Sequence, residues 1–216
     1  MRGEVSSSCR NPKARPTTGR GIACAKALRV YLLRMGSEVV SLSTERLLLR
    51  PMRAADVDAT VAALDDLEVS RRLARVPHPY TERDARLFLE IVERGRADGA
   101  MDHFVIVRAD DDDDRPIGAI GVHGEPGATV AEVGYWIARP HWGNGYAREA
   151  LAAVVRRSFF TRTPPLTLLT SHVHETNRAS MRVLVACGFV ETGSRIASCA
   201  ATGVDVPAIE FELHRG

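Results

Sequence analysis

One stretch constrains the fold more than any other: AEVGYWIARPHWGNGYAREAL, from Ala131 to Leu151. It begins with the apolar pattern of a strand and passes into a helical one, with Ala147, Ala150, Leu151, Val154, Val155 and Phe159 recurring at helical spacing. Between the two stand Gly143 and Gly145, separated only by Asn144. A strand that runs through so short a turn into an apolar-faced helix must lay that helix on its own sheet, which places the chain among the layered α/β folds. The opening of a helix offers unpaired backbone N–H groups and roughly half a positive charge, a setting that suits a phosphate. Glycine lets the backbone approach an anion that a side chain would hold off. Two readings of the turn stand at this point, a phosphate cradle and a plain tight turn. A Walker loop is excluded because no Lys-Ser or Lys-Thr pair follows Gly145. A dinucleotide fingerprint is excluded because it needs three glycines near the first strand of its unit.

The rest of the patterned region fits around this stretch. STERLLLRPMR (Ser43 to Arg53) predicts a strand with Leu47 and Leu49 on one face, which Pro51 confines to an edge or an end. Two helices follow. AADVDATVAAL is the first, and the second runs from a Thr81 cap through Ala85, Phe88, Leu89 and Val92 to Gly95. Between them lies an Arg- and Pro-rich loop, SRRLARVPHPY. HFVIVR, PIGAIGVH and TVAEVGYWIA read as three successive strands. The acids Asp110 to Asp114 in the first turn lack the ligand spacing and turn glycine of a calcium loop, and read as a solvated hairpin tip. PLTLLTSHV predicts a strand buried on both faces. NRASMRVLVACGF predicts a helix capped at Asn177, burying Val183, Leu184 and Cys187 and ending at Gly188, and PAIEFELH predicts a half-buried strand. The expected fold is an α+β layered domain, with a mixed, mostly antiparallel sheet of about seven strands flanked by about four helices.

At 216 residues and 45% hydrophobic, the chain has room for one domain with a sizeable core. Its net charge of +2 gives no argument for a nucleic-acid or membrane partner, and no apolar run reaches the roughly 18 residues that span a bilayer. Before Met35, bases far outnumber acids, Glu4 being the one acid, and Ser, Thr, Pro and Gly are frequent. Such a segment cannot bury enough apolar surface to offset its ordering entropy. We therefore expect residues 1–38 to be an extension, either resembling a transit peptide or preceding a true start at Met35, and residues 39–216 to form the domain. Cys9, Cys24, Cys187 and Cys199 form no CxxC pair and no metal-ligand spacing, which points to reduced thiols in a cytoplasm and to no bound metal.

AEVGYWIARPHWGNGYAREAL followed by NRASMRVLVACGF (Asn177 to Phe189) resembles the GNAT superfamily of N-acetyltransferases, and within it the branch that acetylates ribosomal-protein N-termini. The resemblance covers about Thr44 to Leu213. It implies acetyl-CoA as donor, an amine as acceptor, and a splayed pair of central strands that admits the pantetheine arm. It places the pyrophosphate loop on Gly143, Asn144, Gly145, Tyr146 and Ala147, after Trp142, where the superfamily often has Gln or Arg. Tyr135, Trp136 and Ile137 would pair their backbone with the pantetheine amides, and Asn177 would touch the cofactor. Ser180 matches the residue that protonates the departing thiolate.

An amine must be neutral to attack a thioester, yet α-amino groups are largely protonated near neutral pH. Glu132 interrupts an apolar strand, where an acid is costly without a purpose, and is the base candidate. Its bland reading is a surface acid or a partner for an arginine. His172 and His174 are the rival bases. The loop between the early helices, with Arg71, Arg72, Arg75, His78 and Tyr80, has two readings, recognition of an acidic or peptide acceptor and a solvated, mobile lid. The expected function is direct acetyl transfer from acetyl-CoA to a protein N-terminal amine, by a monomer or homodimer. A small-molecule amine as acceptor and a non-catalytic acyl-CoA-binding domain are the alternatives.

Overall fold

The computed structural model describes residues 31–35 and 39–216. Among the described residues one sheet holds nine strands: β1 (Tyr31–Met35), β2 (Val39–Ser43), β3 (Leu47–Arg50), β4 (Met101–Arg108), β5 (Pro116–His123), β6 (Val130–Ile137), β7 (Leu168–His174), β8 (Val190–Cys199) and β9 (Val204–His214). Their spatial order is β1-β2-β3-β4-β5-β6-β7-β9-β8, and every neighbouring pair is antiparallel except β6 and β7. Five helices accompany them: α1 (Val57–Leu64), α2 (Leu67–Ser70), α3 (Glu82–Ala97), α4 (Tyr146–Arg156) and α5 (Arg178–Ala186). The layered, mostly antiparallel architecture is the one expected. It is wider by β1 and β2, and a short helix, α2, leads into the Arg-rich loop. β1 lies inside the stretch set apart as an extension and pairs with β2 from Tyr31↔Ser43 to Met35↔Val39. Residues 1–30 and 36–38 lie outside the described residues.

The sheet buries both faces, and alternation along β4 shows how. Phe104 and Ile106 join the larger core with Leu47, Leu49, Ile120, Leu151, Val154 and Leu184, beneath α4 and α5. Val105 and Val107 join a second core with Val57, Leu64, Val69 and Ala85, beneath α1, α2 and α3. Pro51 ends β3, which is interior rather than an edge. β7 alternates along its length instead of being buried on both faces. Thr81 and Asp84 form a reciprocal cap on α3. Gly95 does not end this helix, which continues to Ala97. A Cβ at Gly95 would stand 2.8 Å from the Cβ of Met101, so glycine there admits the start of β4. Two residues that the helical pattern places on the surface are drawn inward: Glu149 of α4 is buried and is taken up below, and Arg157, just past α4, is partly buried and pairs with Asp102 at 3.0 Å.

A buried ion hub ties the acidic turn to the body of the domain. Arg50, 3% exposed, spends all five guanidinium N–H groups. Asp56 takes two at 2.8 Å each, Asp114 takes one on its carboxylate at 3.0 Å and one on its carbonyl at 2.8 Å, and Pro51 accepts the last at 3.2 Å. Burial works against the charge, but these carboxylates outweigh it and raise the Arg50 pKa. Asp112 and Asp113 are exposed, as expected of a solvated tip, whereas Asp114 takes a φ of 51° and turns back to Arg50. Asp56→Ala would leave a buried guanidinium half-paired, and we expect it to cost about 3–5 kcal/mol. A urea midpoint within error of wild type would show that solvent reaches the hub.

Candidate active site

β6 and β7 run parallel and are paired at Val130↔Leu168, Ala131↔Leu169 and Glu132↔Thr170, where the ladder stops. Beyond that point Ser171 Oγ donates to the Val133 carbonyl at 3.0 Å, and the strands part. β6 remains bonded to β5 through Ile137, so its other edge faces an opening instead of a strand. A row of N–H and C=O groups on an unpaired edge seeks an extended, amide-bearing partner. The resulting cleft, of about 1020 Å³, is walled by Gly134 to Ile137, the turn from His141 to Ala147, the end of β7, and Asn177, Ser180 and Val183 of α5 and its cap.

At one end of the cleft the chain turns into α4. Gly143 and Gly145 both have φ of +80°, left-handed geometry that glycine adopts without penalty. A Cβ on Gly143 would meet nothing within 4 Å, and one on Gly145 only Arg46 Nη2 at 3.6 Å. The first intrahelical bond runs from Glu149 N–H to Gly145 O at 3.1 Å, which leaves the N–H groups of Tyr146, Ala147 and Arg148 pointing out of the helix mouth. Two residues expected to bind the cofactor act differently through their side chains. Trp142 donates its indole N–H to Ile137 O at 2.6 Å and its amide to Arg139 O at 3.2 Å, so it walls the cleft and has no backbone donor to offer. The Asn144 side chain bridges the carbonyls of His141 and Trp142 at 3.1 Å each and shapes the loop.

A clamp absent from the sequence reading holds this turn from behind. The Glu149 carboxylate accepts from Thr44 Oγ1 at 2.6 Å, the Arg46 amide at 2.9 Å and the Arg46 guanidinium at 2.8 Å, while Arg46 Nη1 donates to Asn144 O at 3.0 Å. Burial pushes the Glu149 carboxyl upward, but these bonds prevail and its pKa is lowered. Arg46 also covers the Tyr146 ring at 5.0 Å.

Where the β6–β7 ladder stops, charged and titratable groups gather. Glu132 Oε1 meets Arg75 Nη2 at 3.0 Å, and Oε2 lies 3.6 Å from His172 Nδ1. His123 is the cross-strand neighbour of Glu132 on β5. The His172 imidazole first, and Arg75 and His123 after it, hold the Glu132 carboxyl below its ordinary range against partial burial. The arginine partner of the bland reading is therefore present, on the same side chain that faces the cleft. His174 is buried and its pKa is lowered by desolvation, with no partner on Nε2 among the described residues. Across the cleft, Asn177 Oδ1 caps α5 by accepting from Ser180 N at 3.2 Å, and Ser180 Oγ lies 2.9 Å from Tyr135 Oη. Besides the backbone expected to meet the cofactor, Tyr135 brings a partly buried hydroxyl, its pKa raised strongly by desolvation, as a further polar group of the site. Trp136 packs on the opposite core and Ile137 is buried, so both meet the cleft as wall.

The Arg-rich loop after α2 overhangs this cluster. Its backbone is held by Ala200 N–H on Ala74 O at 3.0 Å and by Cys199 Sγ on Arg71 O at 3.4 Å. Arg72 reaches over the Trp142 ring at 5.1 Å. Two acceptor candidates do not reach the cleft. Arg71 turns to Glu68 at 2.9 Å, and His78 lies toward Asp65 at 3.8 Å. A third, Tyr80, is 6% exposed within the second core, where burial pushes its phenol up to about 12. Its apolar ring is worth more there than at a wet rim. Among the described residues no group of three or more His, Cys, Asp or Glu is arranged to hold a metal ion, and no helix is long and apolar enough to cross a membrane.

Residues 46–190 match the acetyltransferase (GNAT) domain family. The chain is 29% identical over 156 residues to the uncharacterized N-acetyltransferase p20 of Bacillus licheniformis, covering 71% of this chain and 84% of that protein. Its fold is similar to that of the ribosomal-protein-S5-alanine acetyltransferase from Vibrio fischeri, with a TM-score of 0.69 at 19% identity over 81% of this chain and 96% of the other. It is also similar to the ribosomal L7/L12 alpha-N-protein acetyltransferase in complex with coenzyme A, with a TM-score of 0.68 at 16% identity over 79% and 95% of the two chains. The family match spans the opened edge of β6 and the glycine-lined mouth of α4, and the chain belongs to the acetyltransferase (GNAT) domain family of acetyl-CoA-dependent N-acetyltransferases.

Proposed function

We propose that this enzyme moves the acetyl group of acetyl-CoA directly to the α-amine of a protein N-terminus. The observation that carries the reading is the position of Glu132: the β6–β7 ladder ends at this carboxylate, with the Ser180 and Tyr135 hydroxyls on the far wall of the same opening. The diphosphate of the donor suits the bare amides of Gly143 to Arg148, and its amide-bearing arm suits the unpaired edge of β6. Glu132 takes a proton from the acceptor ammonium, directly or through one water. The neutral nitrogen then forms the N–C bond to the thioester carbonyl as the C–S bond breaks, and the nitrogen sheds its second proton to water. Ser180 gives its hydroxyl proton to the departing thiolate, and Tyr135 Oη, 2.9 Å from Ser180 Oγ and 3.2 Å from the Ser180 carbonyl, stands within reach to restore it.

Two features favour a peptide acceptor. The two ribosomal-protein acetyltransferases share the fold, and Glu132 is the one acid lining the cleft among the described residues. A polyamine or aminoglycoside needs several carboxylates, and would meet Arg72 and Arg75 instead. The free, buried thiol of Cys199 suits a cytoplasmic enzyme. Thiol release from acetyl-CoA should be strong with N-terminal peptides and weak with spermidine, kanamycin or free amino acids. The reverse order would move the enzyme to small amines, and no release with any of them would reduce it to a binding domain.

A further inference from the structure

The base candidate of this site is not free. Arg75 occupies one carboxylate oxygen of Glu132 at 3.0 Å, and the other oxygen faces His172 at 3.6 Å. A carboxylate clasped by a guanidinium has lost a lone pair and much of its basicity to the partner, so in this arrangement it is poorly set to take a proton from an incoming ammonium. The clasp is also easily undone. Arg75 sits on the loop after α2 with its side chain 71% exposed, against 34% for Glu132, and ion pairs so open to water hold weakly. A competing carboxylate of similar reach can take the guanidinium. The rest of the lining offers no acid to do so, since Glu132 is the only one among the described residues. The competitor must therefore arrive with the substrate.

We propose that Arg75 masks Glu132 in the free enzyme and releases it to an acceptor that brings a carboxylate close behind its amine, so that the enzyme selects N-termini with Asp or Glu as the second residue. This rests on the reading of the enzyme as a protein N-terminal acetyltransferase. Successive residues of an extended peptide rise about 3.3 Å each, so a second-residue acid lies within the swing of an arginine whose guanidinium already touches the base. Electrostatic fit also works in this direction. With Arg75 drawn to the acceptor, Glu132 can turn to the ammonium, and each charge exchanges one partner for another. A second-residue lysine, by contrast, would place a cation against Arg75 and leave the mask in place.

The test uses three N-terminal peptides that differ only in a second residue of Glu, Gln or Lys, with wild type, Arg75→Gln and Arg75→Lys, their folding checked by melting temperature. Wild type should use the Glu peptide about five- to tenfold better than the Gln peptide in kcat/KM, with Lys poorest, and rising salt should shrink the gap. In Arg75→Gln the ratio should fall to about one from both sides, the Glu peptide losing its anchor and the Gln peptide gaining an unmasked base. Arg75→Lys should restore part of the preference, and a merely structural role would slow all three peptides alike. Equal use of Glu and Gln peptides by wild type, or an unchanged ratio in Arg75→Gln, would overturn the proposal while leaving N-terminal acetylation standing. Acetylation of spermidine but of no peptide would overturn both.

Discussion

Gly145→Glu is expected to abolish the calorimetric signal for acetyl-CoA, weakening binding at least about a hundredfold, or close to 3 kcal/mol. Two causes add. Any L residue held at φ of +80° costs roughly 1–2 kcal/mol, because its Cβ meets the following carbonyl. The loop will relax away from that angle and carry its amides out of line. The second cause is charge. A carboxylate at the N-cap of α4 spends the positive end of the helix on itself and repels a diphosphate. It also lies near Arg46, 3.6 Å from the Cβ position, and so competes with Glu149 and Asn144 O for the guanidinium that braces the turn. Gly145→Ala separates the two causes, since it keeps the strain and omits the charge. We expect it to lower the melting temperature and to weaken binding far less. Affinity unchanged in the glutamate variant would show that the glycine turn holds no phosphate.

Glu132→Gln is expected to lower kcat/KM for a peptide by about a hundredfold to a thousandfold at pH 7, the range general-base catalysis supplies. The sign of its pH dependence follows from the surroundings. His172, Arg75 and His123 hold the Glu132 carboxyl below its ordinary range, so in the enzyme it stays ionised well into mild acid. The acceptor α-amine loses its proton near pH 7.7–8. As pH rises through that value more acceptor arrives neutral, and the need for a base fades. The deficit of the variant should therefore be greatest near neutrality and shrink toward pH 9. A wild-type profile in Glu132→Gln, with the deficit appearing instead in His172→Asn, would pass the proton to the imidazole.

Much of this site was legible before the structure because its determinants are local. The turn through Gly143 and Gly145, the Asn177 cap and the apolar stripe of α4 are each written in residues within a few positions of one another. Glu132 stood out because an acid in an apolar strand has few explanations. What escaped was pairing across long separations. Glu149 sits at a helical position that a one-dimensional pattern counts as surface, yet its partners Thr44 and Arg46 lie about a hundred positions away in the chain. Tyr80 was assigned to the rim because its loop is rich in arginine, whereas its ring is core. The meeting of Tyr135 with Ser180 depends on how α5 lies on the sheet, which no spacing rule reports.

The clamp on Glu149 has a mechanical consequence. Thr44 and Arg46 belong to the turn that opens β3, so one carboxylate ties that turn to the entrance of α4. The two segments should fray together, since neither can swing out without stranding a charge that the other keeps satisfied. Any anion that stiffens the helix entrance will also quieten a hairpin at the far end of the sequence, and the opening motions of the two would share a single hinge.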